Sequence, residues 1–180
     1  MSAPDILANM SRGWNRDPMH IALGSERTPL ATALWTHNND DVQEVWAEAH
    51  ALRHIVWIPQ VGFGAEVLLD ERLAWGKQIP ASSCGLVPAG VRPRAVHVGR
   101  FSVLHLYMPV NLVVDIVRVE GLAQTEGAVE LVDPACTADP MIERIGREVL
   151  VEMRELQKSA AGRRHGYSQD IRLETKAAVR

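Results

Sequence analysis

Several groups of residues in this 180-residue chain could do chemistry, and each demands a different geometry. The seven histidines are the natural metal ligands. His50 and His54 are four residues apart in AHALRHIVWI, a stretch that reads as strand. On a strand that spacing puts both on one face but about 13 Å apart. They cannot easily share an ion, because an imidazole needs two or three converging partners to hold a transition metal. No metal site and no cofactor are expected.

Nucleophilic and acid–base chemistry find no better footing. Glu66 and Asp70 flank a turn signal and read as a solvated edge. Cys84 and Cys136 stand far apart without metal or redox spacing, so they read as small buried hydrophobes in a reducing, cytoplasmic setting. There is no G-x-S-x-G elbow, no glycine-rich phosphate loop and no H-E-x-x-H helix. No catalytic residue is expected.

Binding is the chemistry left. If Gly99-Arg100 is a hairpin turn, Val98 pairs with Phe101, Val96 with Val103 and Arg94 with His105. That places Arg94, His105 and Tyr107 on one face, and His97, Leu104, Leu106 and Met108 on the other. Arg94 could then hold a carboxylate that His105 and Tyr107 orient, with Trp57 and Trp75 as apolar walls. The plainer alternative is that His105 only hydrogen-bonds within the core, and a register slip by one residue would exchange the two faces.

The elements that must position these residues follow from pattern. Strand-forming runs recur about every 8 to 12 residues, over 42–48, 50–58, 65–69, 73–77, 84–87, 95–98 and 101–108. Turn residues separate them: Pro59 with Gly62, Asp70-Glu71, Pro80 to Ser83, Pro88 to Pro93 and Gly99-Arg100. This predicts a meander of hairpins closing into a barrel or sandwich. Before it, Pro4, Gly13, Pro18, Gly24 and Pro29 interrupt every run and predict an arm over 1–32, with one short strand at His20 to Leu23. The barrel spans 33–109.

After Pro109 the period changes to helical, first over Val110 to Glu120. Asp139 then caps a stronger helix that Pro140 opens, and Met141, Ile142, Ile145, Val149, Met153 and Leu156 form its apolar stripe. Ser159 to Gly166 is expected to break it before a weaker helix from Tyr167 to Val179. The fold class is mainly β with C-terminal α: a barrel followed by two to three helices over 110–180.

Bulk composition sets the outer bounds. With 47% apolar and 23% charged residues the chain is an ordinary globular one. A net charge of −3 provides no positive field for a nucleic-acid duplex. No apolar run is long enough for a membrane span.

One string adds specificity. CGLVPAGVRP, Cys84 to Pro93, places a sharp turn where Pro88 fixes φ and Gly90 is free to take positive φ. Together with the following strand, LVPAGVRPRAVHVGRFSVLHLYMP resembles the second half of the cupin-like sensor domain of AraC-family transcription regulators. ADPMIERIGREVLVEM, Ala138 to Met153, is similar to that family's first dimerisation helix, and SRGW at Ser11 to Trp14 to the start of the domain.

The resemblance implies a cupin-like, jelly-roll type barrel that binds a small-molecule effector. It also implies a homodimer, built through Ile142, Ile145, Val149, Met153 and Leu156. DNA would be met only through a helix-turn-helix pair, which the expectation places outside a chain that stops at Arg180. The implied protein is bacterial and not an enzyme. The alternative is a small cupin enzyme, an isomerase or dioxygenase with an atypical site. Such enzymes place a metal-binding His three residues after the Pro-x-Gly glycine, and here that place is Pro93.

Overall fold

The computed structural model describes residues 3–24, 30–121 and 136–177, with side chains described between 5 and 159. It opens with α1 (Ala3–Trp14), where Pro4 and Gly13 had pointed to an irregular arm. Pro4 sits in the first turn, where its missing donor would be unpaired anyway. Gly13 lies in the last turn. Asn15 then takes φ 48°, and Arg16 N–H closes back on the Ser11 carbonyl at 3.1 Å, ending the helix with a left-handed residue.

Nine strands follow among the described residues: β1 (His20–Leu23), β2 (Ala31–His37), β3 (Val42–Trp46), β4 (Arg53–Pro59), β5 (Phe63–Leu69), β6 (Arg72–Ile79), β7 (Gly85–Val87), β8 (Pro93–Val98) and β9 (Phe101–Pro109). They form two antiparallel sheets, ordered β1-β2-β9-β4-β7 and β3-β8-β5-β6. The pairing is nested: β2 with β9, β3 with β8, β4 with β7 and β5 with β6. A long hairpin rolled up on itself has that nesting, which is the jelly-roll winding of a cupin-like barrel.

The winding corrects the expected meander. Asp70-Glu71 does turn β5 into β6, both residues at positive φ (46° and 62°) as a tight hairpin turn of this kind requires. Gly99-Arg100 is different: it carries the chain from β8 in one sheet to β9 in the other. Arg94 therefore pairs with Trp46 and Leu68, and His105 with Ala33 and Trp57. The expected Arg94–His105 register does not exist.

Helices complete the second layer. α2 (Val110–Val119) and α3 (Pro140–Ala177) lie where the helical period begins. Asp139 accepts from Met141 N–H at 2.6 Å, as an N-cap should. The expected break at 159–166 is absent, and α3 runs through it. One side of α3, with Ile142, Val149, Leu150 and Met153, covers Leu34, Ile58, Leu104 and Leu106 on the outer face of the five-stranded sheet.

That sheet is thus buried on both faces, which explains β2. All but one of its residues are buried, so ATALWTH shows no alternation to read, and the sequence pattern placed it between the arm and the first run. The inner face meets the other sheet in the main core, where Trp35, Trp57, Phe63, Phe101 and Tyr107 pack with Ile6, Leu7, Met10 and Trp14 of α1. The helix that replaces the arm is part of the barrel's filling.

Candidate functional site

Between the two sheets, against α1, lies a cavity of about 50 Å³. Met10 and Trp14 wall it from the helix, and Trp57, Phe63, Val67 and Val103 from the strands. Its polar lining is sparse. His97 on β8 and His105 on β9 contribute one imidazole from each sheet, and Arg94 stands at the mouth beside Trp46. Those last two are the lining residues that reach solvent furthest, at 40% and 44% exposure.

Local sequence explains why these groups point inward. Along β8, Ala95 and His97 are buried while Arg94, Val96 and Val98 are not, and along β9 the odd positions Val103, His105 and Tyr107 face the core. His97 thus faces the cavity, where the hairpin register had placed it on the opposite face from His105. Arg94 points to the outside of the four-stranded sheet. Its Nε donates to Glu44 at 2.7 Å and its Nη1 lies 3.5 Å from a Glu71 oxygen.

Tyr107 is fully buried behind His105. Its hydroxyl accepts from Trp35 Nε1 at 3.2 Å and lies 3.3 Å from His105 Nδ1. An indole N–H only donates, so the hydroxyl proton is left for Nδ1 and the imidazole keeps its own proton on Nε2. Trp57 lines the cavity and meets Trp75 edge to face at 5.3 Å. Gly85 makes room for it: a Cβ there would lie 1.8 Å from the Trp57 ring. Of the five expected ligand-binding residues, the structure brings Trp57 and His105 to the cavity wall and Arg94 to its mouth, while Tyr107 and Trp75 buttress it from behind.

Met10, Trp14 and His97 escaped the sequence reading. The signal for the first two was present in the helical spacing of Ile6, Leu7, Met10 and Trp14. Trp14 is the centre of the cluster, 4.8 Å from Trp35, 5.3 Å from His105 and 5.7 Å from both His97 and Phe101. His97 stacks on Phe101 at 4.3 Å. Neither of its ring nitrogens has a hydrogen-bond partner among the described residues, although the side chain is only 4% exposed.

Burial decides the charge of both imidazoles. It pushes His97 down to about 4, with His37 and Arg16 adding to the effect. It pushes His105 down to about 3, with His97 nearby as the second cause. Burial also raises the Tyr107 phenol. Near neutral pH neither imidazole carries a charge, and the charged lining residue, Arg94, stands at the mouth.

A transition metal does not fit this wall. His97 and His105 are its metal-capable donors, and among the described residues no three His, Cys, Asp or Glu side chains converge on a common point.

The residues expected to form a dimer interface divide into two groups. Ile142, Val149 and Met153 pack on the chain's own sheet, while Ile145 and Leu156 are 37% and 53% exposed. No helix among the described residues is long and apolar enough to cross a membrane.

No protein-family model and no curated protein matches the chain. Solved cupins are similar to it. The Cnp3 cupin domain of Schizosaccharomyces pombe is 11% identical with a TM-score of 0.41, covering 59% of this chain and 72% of that one. The plu4264 protein from Photorhabdus luminescens is 12% identical with a TM-score of 0.39, covering 56% and 82%. A cupin 2 conserved barrel domain protein from Salinispora arenicola is 15% identical with a TM-score of 0.36, covering 54% and 78%. Likeness at this level carries neither activity nor ligand to this chain, whose own strand pairing gives a jelly-roll type β-barrel followed by helices.

Proposed function

We propose that the chain is the effector-binding and dimerisation domain of an AraC-type transcription regulator. A small molecule enters the barrel cavity, and its presence is relayed to a separate helix-turn-helix module that reads DNA. The observation that carries this reading is the cavity itself, an apolar chamber with two uncharged imidazoles on its wall. Such a wall suits recognition by shape and a few hydrogen bonds. Among the described residues no three His, Cys, Asp or Glu side chains converge as metal-dependent catalysis would require.

The relay needs an element whose two arrangements bind the effector differently. β9 is suited to that role. Its inner residues Val103 and His105 line the cavity, and its outer residues Leu104 and Leu106 lie under α3. The outward side of α3, with Met141, Ile145 and Leu156 exposed, is the surface offered to a second copy across a two-fold axis.

Two measurements test the reading. Light scattering at tens of micromolar is expected to give a dimer; a monomer would contradict the dimerisation role. Metal analysis of the purified protein is expected to find no stoichiometric iron, manganese, nickel or zinc, and a bound equivalent held by barrel histidines would instead favour a cupin enzyme.

A further inference from the structure

The cavity also constrains what can enter it, and this step rests on the effector-binding reading above. We propose that the ligand is a small uncharged molecule built on a single aromatic ring, carrying one hydrogen-bonding group that meets His97.

Wall chemistry comes first. Trp14, Trp57 and Phe63 line the cavity, and aromatic side chains favour a planar apolar partner through offset or edge-to-face contacts. His97 supplies the hydrogen bond. It is buried, lines the cavity and has both ring nitrogens without a partner among the described residues. A buried polar group left in that condition is costly, so a ligand that satisfies it recovers affinity there.

Charge is excluded by the same wall. A carboxylate needs a cation inside, and both imidazoles are held neutral by burial. Arg94 is turned outward and ion-paired with Glu44 and Glu71. Sugars fare no better, because several hydroxyl groups would meet carbon where the wall offers two imidazoles.

Size narrows the class further. The cavity is about 50 Å³, against about 150 Å³ for an engineered cavity that takes benzene and about 300–1,000 Å³ for drug-sized pockets. Anything larger than one ring is excluded, and one ring enters only if a wall gives way. Met10 is the wall residue best able to do so, since an unbranched thioether changes shape at little cost.

The test uses the whole chain with phenol, toluene, benzoate and glucose as probes, read by tryptophan fluorescence and calorimetry. Phenol and toluene are expected to bind at up to millimolar concentration, and benzoate and glucose are not. His97→Phe keeps the ring stack on Phe101 and is expected to lower the preference for phenol over toluene by roughly tenfold, the value of one hydrogen bond of about 1.4 kcal/mol. If that variant fails to fold, the comparison of phenol with benzoate in the unaltered chain still decides. Benzoate or glucose binding as tightly as phenol overturns this inference and leaves the sensor reading standing. An unchanged phenol-to-toluene preference in a folded His97→Phe protein overturns the role of His97. Binding of none of the probes overturns the inference, while the dimer measurement separately judges the regulator reading.

Discussion

The helices α1 and α3 cover the same barrel in opposite ways. α1 has 12 residues and sends Ile6, Leu7, Met10 and Trp14 into the space between the sheets. α3 has 38 residues and stays outside, with Met153 its deepest apolar side chain against the five-stranded sheet. The short helix forms part of the cavity wall, whereas no described side chain of the long one lines it. Length is therefore a poor guide to which helix matters for the site; what matters is the face of the sheet on which a helix lies. The five-stranded sheet lies between the two environments, and β9 runs through its middle.

Removing the α1 anchor is the strongest way to break this contrast. Trp14→Ala deletes the ring that touches Trp35, His97, Phe101 and His105, and an expected loss of about 3–5 kcal/mol should appear in urea unfolding. A loss no larger than that of an exposed residue would mean that α1 does not fill the barrel in solution.

Acid should probe the same side next. His97 has a folded pKa of about 4 against 6.5 when unfolded, and His105 about 3. Above pH 6.5 both states are neutral and this contribution to stability is fully present. As pH falls from 6.5 towards 4 the unfolded chain takes up protons that the folded one refuses. Stability then drops by about 1.4 kcal/mol per pH unit for each histidine. Melting curves across that window check the slope, and His97→Phe should make it shallower.

Gly13→Ala tests how closely α1 is seated. A Cβ at that position would lie 1.8 Å from the Trp46 carbonyl oxygen, so the helix end must lift from β3 at an expected cost of about 1–3 kcal/mol. The environment of Trp14 and Trp46 should change with it in fluorescence; an unaltered spectrum and stability would argue for a looser contact.

The smallest stability effect belongs to α3. Ile145→Asp or Leu156→Asp alters exposed positions and should change monomer stability by less than about 0.5 kcal/mol. Light scattering at matched concentration should nonetheless show weaker dimerisation. Equal dimer content in both variants would move the interface away from this side of α3.

Much of the fold was legible because its signals are local. Turn pairs such as Asp70-Glu71, the Asp139-Pro140 helix start and the β-branched runs of β4, β5 and β9 depend on neighbours in sequence. β2 was missed because burial on both faces removes alternation. α1 is masked in the sequence by Pro4 and Gly13, which read as interruptions although at a helix's first and last turns both residues are tolerated. The candidate site was half legible. Trp57 and His105 carry their own cues as an aromatic wall and an inward polar group, but the partnership of Arg94 with His105 assumed that adjacent strands pair.

Period and turn chemistry act over a few residues, and they suffice to specify a β-barrel followed by helices and strands with an inward and an outward side. Which residues share the cavity is set by packing between distant segments. In a rolled hairpin consecutive strands such as β8 and β9 belong to opposite sheets, so the inward direction at Gly99-Arg100 is set by pairing with strands far away in sequence. That long-range pairing turned His97 in and Arg94 out.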